Sequence, residues 1–128
     1  MQQVTYVRLY ADDSGESHFE DMTIDDFKQT DFAPPAEPLN VAAFLPATGT
    51  TWLHFPAGWD GTEPHPSPSR QVMCILQGEF EVTVSDGGVR ILRPGSVILL
   101  ENTWGKGHVT RIAGQDDGVI LAVALTDQ

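Results

Sequence analysis

From Val41 to Leu125 the chain repeats one pattern: short apolar or alternating segments, each closed by a turn. The segments are Val41 to Leu45, Thr50 to Phe55, Arg70 to Leu76, Phe80 to Ser85, Val89 to Leu92, Val97 to Leu100, Val109 to Ala113 and Val119 to Leu125. Between them stand Ala47-Thr-Gly49, Ala57-Gly58, Gln77-Gly78, Asp86-Gly-Gly88, Arg93-Pro-Gly95, Gly105-Lys-Gly107 and Gly114-Gln-Asp-Asp-Gly118. Glycine supplies positive φ and proline a fixed φ, so each of these is a place where the chain reverses. Short strands at this regular spacing predict an all-β antiparallel barrel or sandwich of the jelly-roll kind. No strand-helix alternation is present to build a parallel sheet, and no glycine-rich phosphate loop stands at a strand-to-helix junction.

The first forty residues read as part of the same domain, 1–40 supplying strands and a connecting arm and 41–128 the barrel. Val4, Tyr6 and Arg8 alternate with Thr5, Val7 and Leu9, and Ser17 to Ile24 follows the turn Asp12-Asp-Ser-Gly15, which predicts two paired strands. Asp25-Asp26-Phe27 is expected to open one helical turn, and Ala33-Pro-Pro-Ala-Glu-Pro38 breaks regular structure and reads as an arm. His18 has no second ligand at metal spacing and reads as a surface or structural histidine.

Composition excludes several partners. With 18 acidic against 7 basic residues in 128, the net charge of -11 repels phosphate backbones and anionic lipid, so neither nucleic acid nor membrane is an expected partner. The amino terminus lacks a basic region followed by an apolar stretch, and a cytoplasmic location is expected. At 41% hydrophobic residues, one domain of this length builds a core without a disulfide. The lone Cys74 lies inside an apolar segment, the setting of an inert thiol.

The stretch from Gly58 to Gly78 carries the chemistry. Pro64, Pro66 and Pro68 hold the loop extended and lack the amide protons a central strand needs, so His65 is presented from a loop and pairing begins only near Arg70. Gln71 is a polar residue at the head of an otherwise apolar strand. By alternation Gln71, Met73 and Ile75 share the face toward the barrel mouth, which leaves the apolar Val72, Cys74 and Leu76 on the opposite face in need of a cover; a homodimer is expected.

These residues resemble the first motif of the cupin superfamily: a glycine, His-x-His, a glutamate and a closing glycine at set intervals. His65 fills the first histidine place, Ser67 stands where the second histidine belongs, Gln71 stands at the glutamate place, and Gly78 falls at the required spacing. The stretch Gly88-Val-Arg-Ile-Leu-Arg-Pro-Gly-Ser96, continuing to Trp104-Gly-Lys-Gly-His108, looks like the second motif, which ends in the last metal-binding histidine. The resemblance covers roughly Val41 to Leu125 and implies a small single-domain cupin, an antiparallel double-stranded β-helix with a ligand site in the barrel. It implies His65, Gln71 and His108 as ligands of a divalent metal, Zn, Fe, Mn or Ni; Trp59 and Trp104, on loops flanking them, and His54 are candidates for the wall of a substrate pocket.

Two readings follow. In the first, the metal serves dioxygenase, isomerase or decarboxylase chemistry on a small organic metabolite, with the anion that Gln71 lacks supplied by the ligand. In the second, the barrel is a metal-free small-molecule-binding or sensor module. Alternation on the strand of Trp52, Leu53, His54 and Phe55 places one pair in the cavity without saying which. Glu101 is a reserve carboxylate near the mouth, expected at the surface of a strand end.

Overall fold

The computed structural model describes residues 2–126. Its strands are β1 (Val4–Ala11), β2 (Ser17–Ile24), β3 (Lys28–Thr30), β4 (Leu39–Val41), β5 (Ala47–Phe55), β6 (Gln71–Gln77), β7 (Phe80–Val84), β8 (Val89–Leu92), β9 (Val97–Leu100), β10 (His108–Ile112) and β11 (Gly118–Leu125). The all-β expectation holds. A six-stranded sheet runs β2-β1-β9-β6-β11-β5 and faces a three-stranded sheet β10-β7-β8, with β3 and β4 forming a separate two-stranded ribbon.

Pairing is antiparallel except between β1 and β9, where Val7, Arg8 and Leu9 run parallel to Ile98, Leu99 and Leu100. That parallel pair departs from the purely antiparallel expectation. It arises because β1 enters the middle of the sheet between its own hairpin partner β2 and the distant β9.

The register sorts side chains onto two faces. Thr51, Ala122, Met73 and Ile98 lie opposite one another across β5, β11, β6 and β9 and point inward. Trp52, Leu121, Cys74 and Val97 form the adjacent row and point outward. Inward residues meet Phe80, Val82 and Leu92 of the small sheet to make the core, in which Leu9 and Phe80 have no exposed surface. Burying each such side chain contributes roughly 1.5–3 kcal/mol. Gly118 must be glycine here: an added Cβ would sit 2.3 Å from the Phe80 ring. The cavity between the sheets is lined by core residues themselves, Ile75, Phe80, Val82, Leu92, Ile98 and Ile120 among them.

The residues between β2 and β5 differ from expectation. Asp25-Asp26-Phe27 is irregular and leads into β3, and the strand expected from Val41 to Leu45 is β4, which ends at Val41. The helical turn fails because Lys28–Thr30 finds strand partners in Leu39–Val41 across a turn closed by the Ala36 amide donating to the Ala33 carbonyl at 2.9 Å. Phe44 and Leu45, past the end of β4, are exposed.

Candidate functional site

The proline-spaced loop and the start of β10 build the mouth of the cavity together. His65 and His108 exchange backbone hydrogen bonds, His65 N–H to His108 O at 3.1 Å and His108 N–H to His65 O at 3.0 Å. Residues so paired on antiparallel segments project to the same face, and the two imidazole centroids stand 5.1 Å apart. Farther along the loop the Ser67 N–H donates to the Asn102 carbonyl at 2.9 Å. The donors are the residues between the prolines, so Pro64, Pro66 and Pro68 occupy the alternate places where no amide proton is used. Gly107 permits the approach, with φ at +81° and room for no side chain: a Cβ there would lie 2.4 Å from the His65 carbonyl carbon.

Behind the mouth lies a cavity of about 450 Å³. Its walls are apolar, with Phe55, Met73, Ile75, Phe80 and Ile98 among them, and no Asp, Glu, Lys, Arg or Cys contributes to the lining. Polar side chains gather where His65, Ser67, Gln71 and His108 meet. His65 is exposed, whereas Gln71 and His108 are buried, so the polar group runs inward from water. Gln71 Nε2 donates to Ser67 Oγ at 3.1 Å, and Ser67 Oγ donates to the Ser69 carbonyl at 2.6 Å. The His65 ring bonds the Pro66 carbonyl through Nδ1 at 2.9 Å. The His108 ring meets Asn102 Nδ2 through Nδ1 at 2.8 Å. Burial, reinforced by the neighbouring His65, pushes the His108 imidazole down to about 4, so it is uncharged at neutral pH.

Of the residues expected around the pocket, His65, Gln71, His108 and Trp59 line this one cavity. Trp59 packs edge-on against Phe55 with centroids 4.9 Å apart. Two expectations are corrected. His54 points outward, because β5 turns Thr51, Leu53 and Phe55 into the barrel, and its Nε2 bonds Asp117 at 2.9 Å on the surface. Trp104 is half exposed and lies against the β1–β2 turn at Gly15, drawn there by the Lys106 N–H donating to the Gly15 carbonyl at 2.8 Å. Glu101 also stays out of the cavity, held by Arg8 at 2.6 Å and Arg70 at 2.5 Å. Burial raises its carboxyl, and these guanidinium bonds outweigh that and hold it below the usual range.

Asn102 is the residue the sequence reading passed over. It has no exposed surface, and its Oδ1 is the buried side-chain polar atom without a hydrogen-bond partner among the described residues. A polar residue just past the apolar run Val97–Leu100, six positions before His108, was the available signal.

No protein-family model matches the sequence, and no curated protein matches it. Solved structures match the fold. The cupin domain of Cnp3 from Schizosaccharomyces pombe aligns over 99% of this chain and 86% of its own, at 16% identity and a TM-score of 0.51. The chain has the cupin fold. KdgF from Halomonas sp. (22% identity, 81% of this chain and 90% of that one, TM-score 0.48) is also similar. So is a putative ethanolamine utilization protein Q from Salmonella typhimurium (13% identity, 98% of each chain, TM-score 0.46).

A divalent cation is the guest that a cupin barrel suggests, and the residues here do not fit one. Among the described residues no three His, Cys, Asp or Glu side chains stand together as a metal-holding group. None of His65, Gln71 and His108 can bring a negative charge, and a dication in this apolar cavity would be desolvated with no protein anion to offset the cost.

Proposed function

We propose that this cupin is a small-molecule-binding protein whose barrel takes up an uncharged, largely apolar organic ligand, with the ligand's polar end at His65, Gln71 and His108. The observation that carries the reading is the partition of the cavity: about 450 Å³ with largely apolar walls, interrupted by the Thr51 and Thr110 hydroxyls, and a polar group of His65, Ser67, Gln71 and His108 at the mouth. Ligand sites have this composition, apolar area for affinity and a few fixed polar atoms for orientation. The metal-dependent alternative, with Zn, Fe, Mn or Ni at His65, Gln71 and His108 serving dioxygenase, isomerase or decarboxylase chemistry, has two imidazoles and a neutral amide with no protein carboxylate beside them, and supplies no step here.

A neutral fluorescent probe, N-phenylnaphthylamine, tests the reading. Wild type is expected to bind it with a blue-shifted emission, and Ala122→Phe, which fills the cavity from β11, is expected to weaken binding by about tenfold or more. Equal binding by both proteins would overturn the cavity reading. Stoichiometric metal retained through purification would restore the metal-dependent one.

We also propose that the protein is a homodimer joined through the outer face of the six-stranded sheet. Trp52 is 69% exposed and Leu76 46% exposed, next to the half-buried Val72, Cys74, Val97 and Leu121. Apolar surface of this continuity favours a partner, and a two-fold axis lets the same patch cover itself. Light scattering should give twice the chain mass at micromolar concentration, and Trp52→Glu should give the monomer; a wild-type monomer would refute the pairing.

A further inference from the structure

We propose that the polar mouth is a receptor for a primary carboxamide carried on an apolar body, an inference that rests on the small-molecule reading above. Each of the three groups at the mouth has its hydrogen-bonding role fixed by a protein partner. The Pro66 carbonyl can only accept, so His65 Nδ1 donates to it, and a ring that carries one proton then presents Nε2 as a lone pair. Ser67 Oγ spends its proton on the Ser69 carbonyl and meets Gln71 as an acceptor. Gln71 therefore turns Nε2 toward Ser67, and its Oε1 remains as an acceptor. The Asn102 amide nitrogen can only donate, so His108 Nδ1 accepts from it, and the ring proton lies on Nε2. Among the described residues neither Nε2 has a protein partner, and both rings line the cavity.

These three side chains thus offer one donor, His108 Nε2–H, and two acceptors, His65 Nε2 and Gln71 Oε1. A primary carboxamide is the complement: one carbonyl oxygen that accepts and two N–H groups that donate. Other common head groups fail the count. A carboxylate brings no donor to the two acceptors and carries a charge into a lining that holds no cation. A ketone satisfies His108 and leaves both acceptors unmet. An ammonium group leaves the His108 proton without an acceptor and finds no carboxylate. Gln71 and His108 are buried, and buried polar groups left unmet are what make such discrimination strong. Asn102 acts here as a positioning residue, setting the tautomer of His108 without touching the ligand.

The test compares benzamide, benzoate and acetophenone by titrating the methyl resonances of Ile75, Ile98 and Ile120 at pH 7.5, with the His108 tautomer read from long-range proton–nitrogen correlations of the imidazole. Benzamide is expected to bind about tenfold or more tightly than either analogue, with His108 protonated at Nε2. His108→Phe is expected to abolish the preference. Equal affinities, or a preference for benzoate or acetophenone, would overturn the carboxamide assignment and leave the cavity reading standing. A His108 proton on Nδ1 would overturn it independently of any variant's folding. Failure of all three to shift the isoleucine methyls would remove the cavity reading and this inference together.

Discussion

Two histidines of this chain sit in opposite surroundings, and the contrast separates what holds the fold from what waits for a ligand. His18, at the start of β2, has a carboxylate on each ring nitrogen, Asp12 on Nε2 and Asp86 on Nδ1, both at 2.7 Å. A neutral imidazole has one proton and cannot donate to both, so this ring is an imidazolium that ties the β1–β2 turn to the β7–β8 turn. Asp12 first, and then Asp86, holds its pKa above the ordinary value. His108 meets an amide and apolar walls, and its pKa falls. Charge is used where the chain is fastened and is kept away from the cavity.

The largest test of that contrast is acid unfolding. The depressed pKa of His108 means that the unfolded chain binds a proton between pH 6.5 and about 4 that the native protein does not. Its contribution is fully present above pH 6.5 and is lost as pH falls toward 4, about 3 kcal/mol across the window. Urea midpoints measured through this range should fall for wild type and fall less steeply for His108→Phe. Matching slopes would show that His108 titrates normally in the fold. A smaller effect is expected from Gln71→Glu, which places a carboxylate beside the imidazoles. The His108 pKa should rise by about one unit or more, and zinc affinity should rise about tenfold from a weak baseline. Imidazole titration by NMR together with zinc calorimetry checks both, and unchanged values would mean that Gln71 does not face His108. The smallest effect belongs to His18→Gln. The clamp is intact below the unfolded histidine pKa near 6.5 and is lost as pH rises through the elevated folded value, so the melting temperatures of wild type and variant should converge in alkali. A constant difference would show that His18 contributes only neutral contacts.

Much of the barrel was legible because turn residues mark strand ends directly. Phe80, Val89, Val97 and Val119 each begin or nearly begin a strand where glycine or proline precedes them. The convergence of His65, Gln71 and His108 was legible from motif spacing, which encodes a shared barrel face. The orientation of β5 was not. Alternation gives two sets of residues, and which set faces inward is fixed by pairing with β11, a distant strand. The misplacement of Trp104 has the same origin, since Gly15 and Lys106 are brought together only by the finished fold. Asn102 escaped notice because its burial depends on the His65 loop closing over it. The helical turn at Asp25 was misread because local propensity was weighed without the β3–β4 pairing.

The parallel contact of β1 with β9 has a consequence for biosynthesis. The ribosome delivers Val4–Ala11 well before Val97–Leu100, yet the inner edge of that strand is satisfied only by Ile98 to Leu100, about 90 residues later. Until those residues emerge, the β1–β2 hairpin carries an open strand edge, the kind of surface that recruits other chains. A product cut before Val97 can never close it, and one lacking the first strand leaves the same open edge on β9 instead. At no length short of β9 are both sides of β1 paired, so this part of the sheet is completed late.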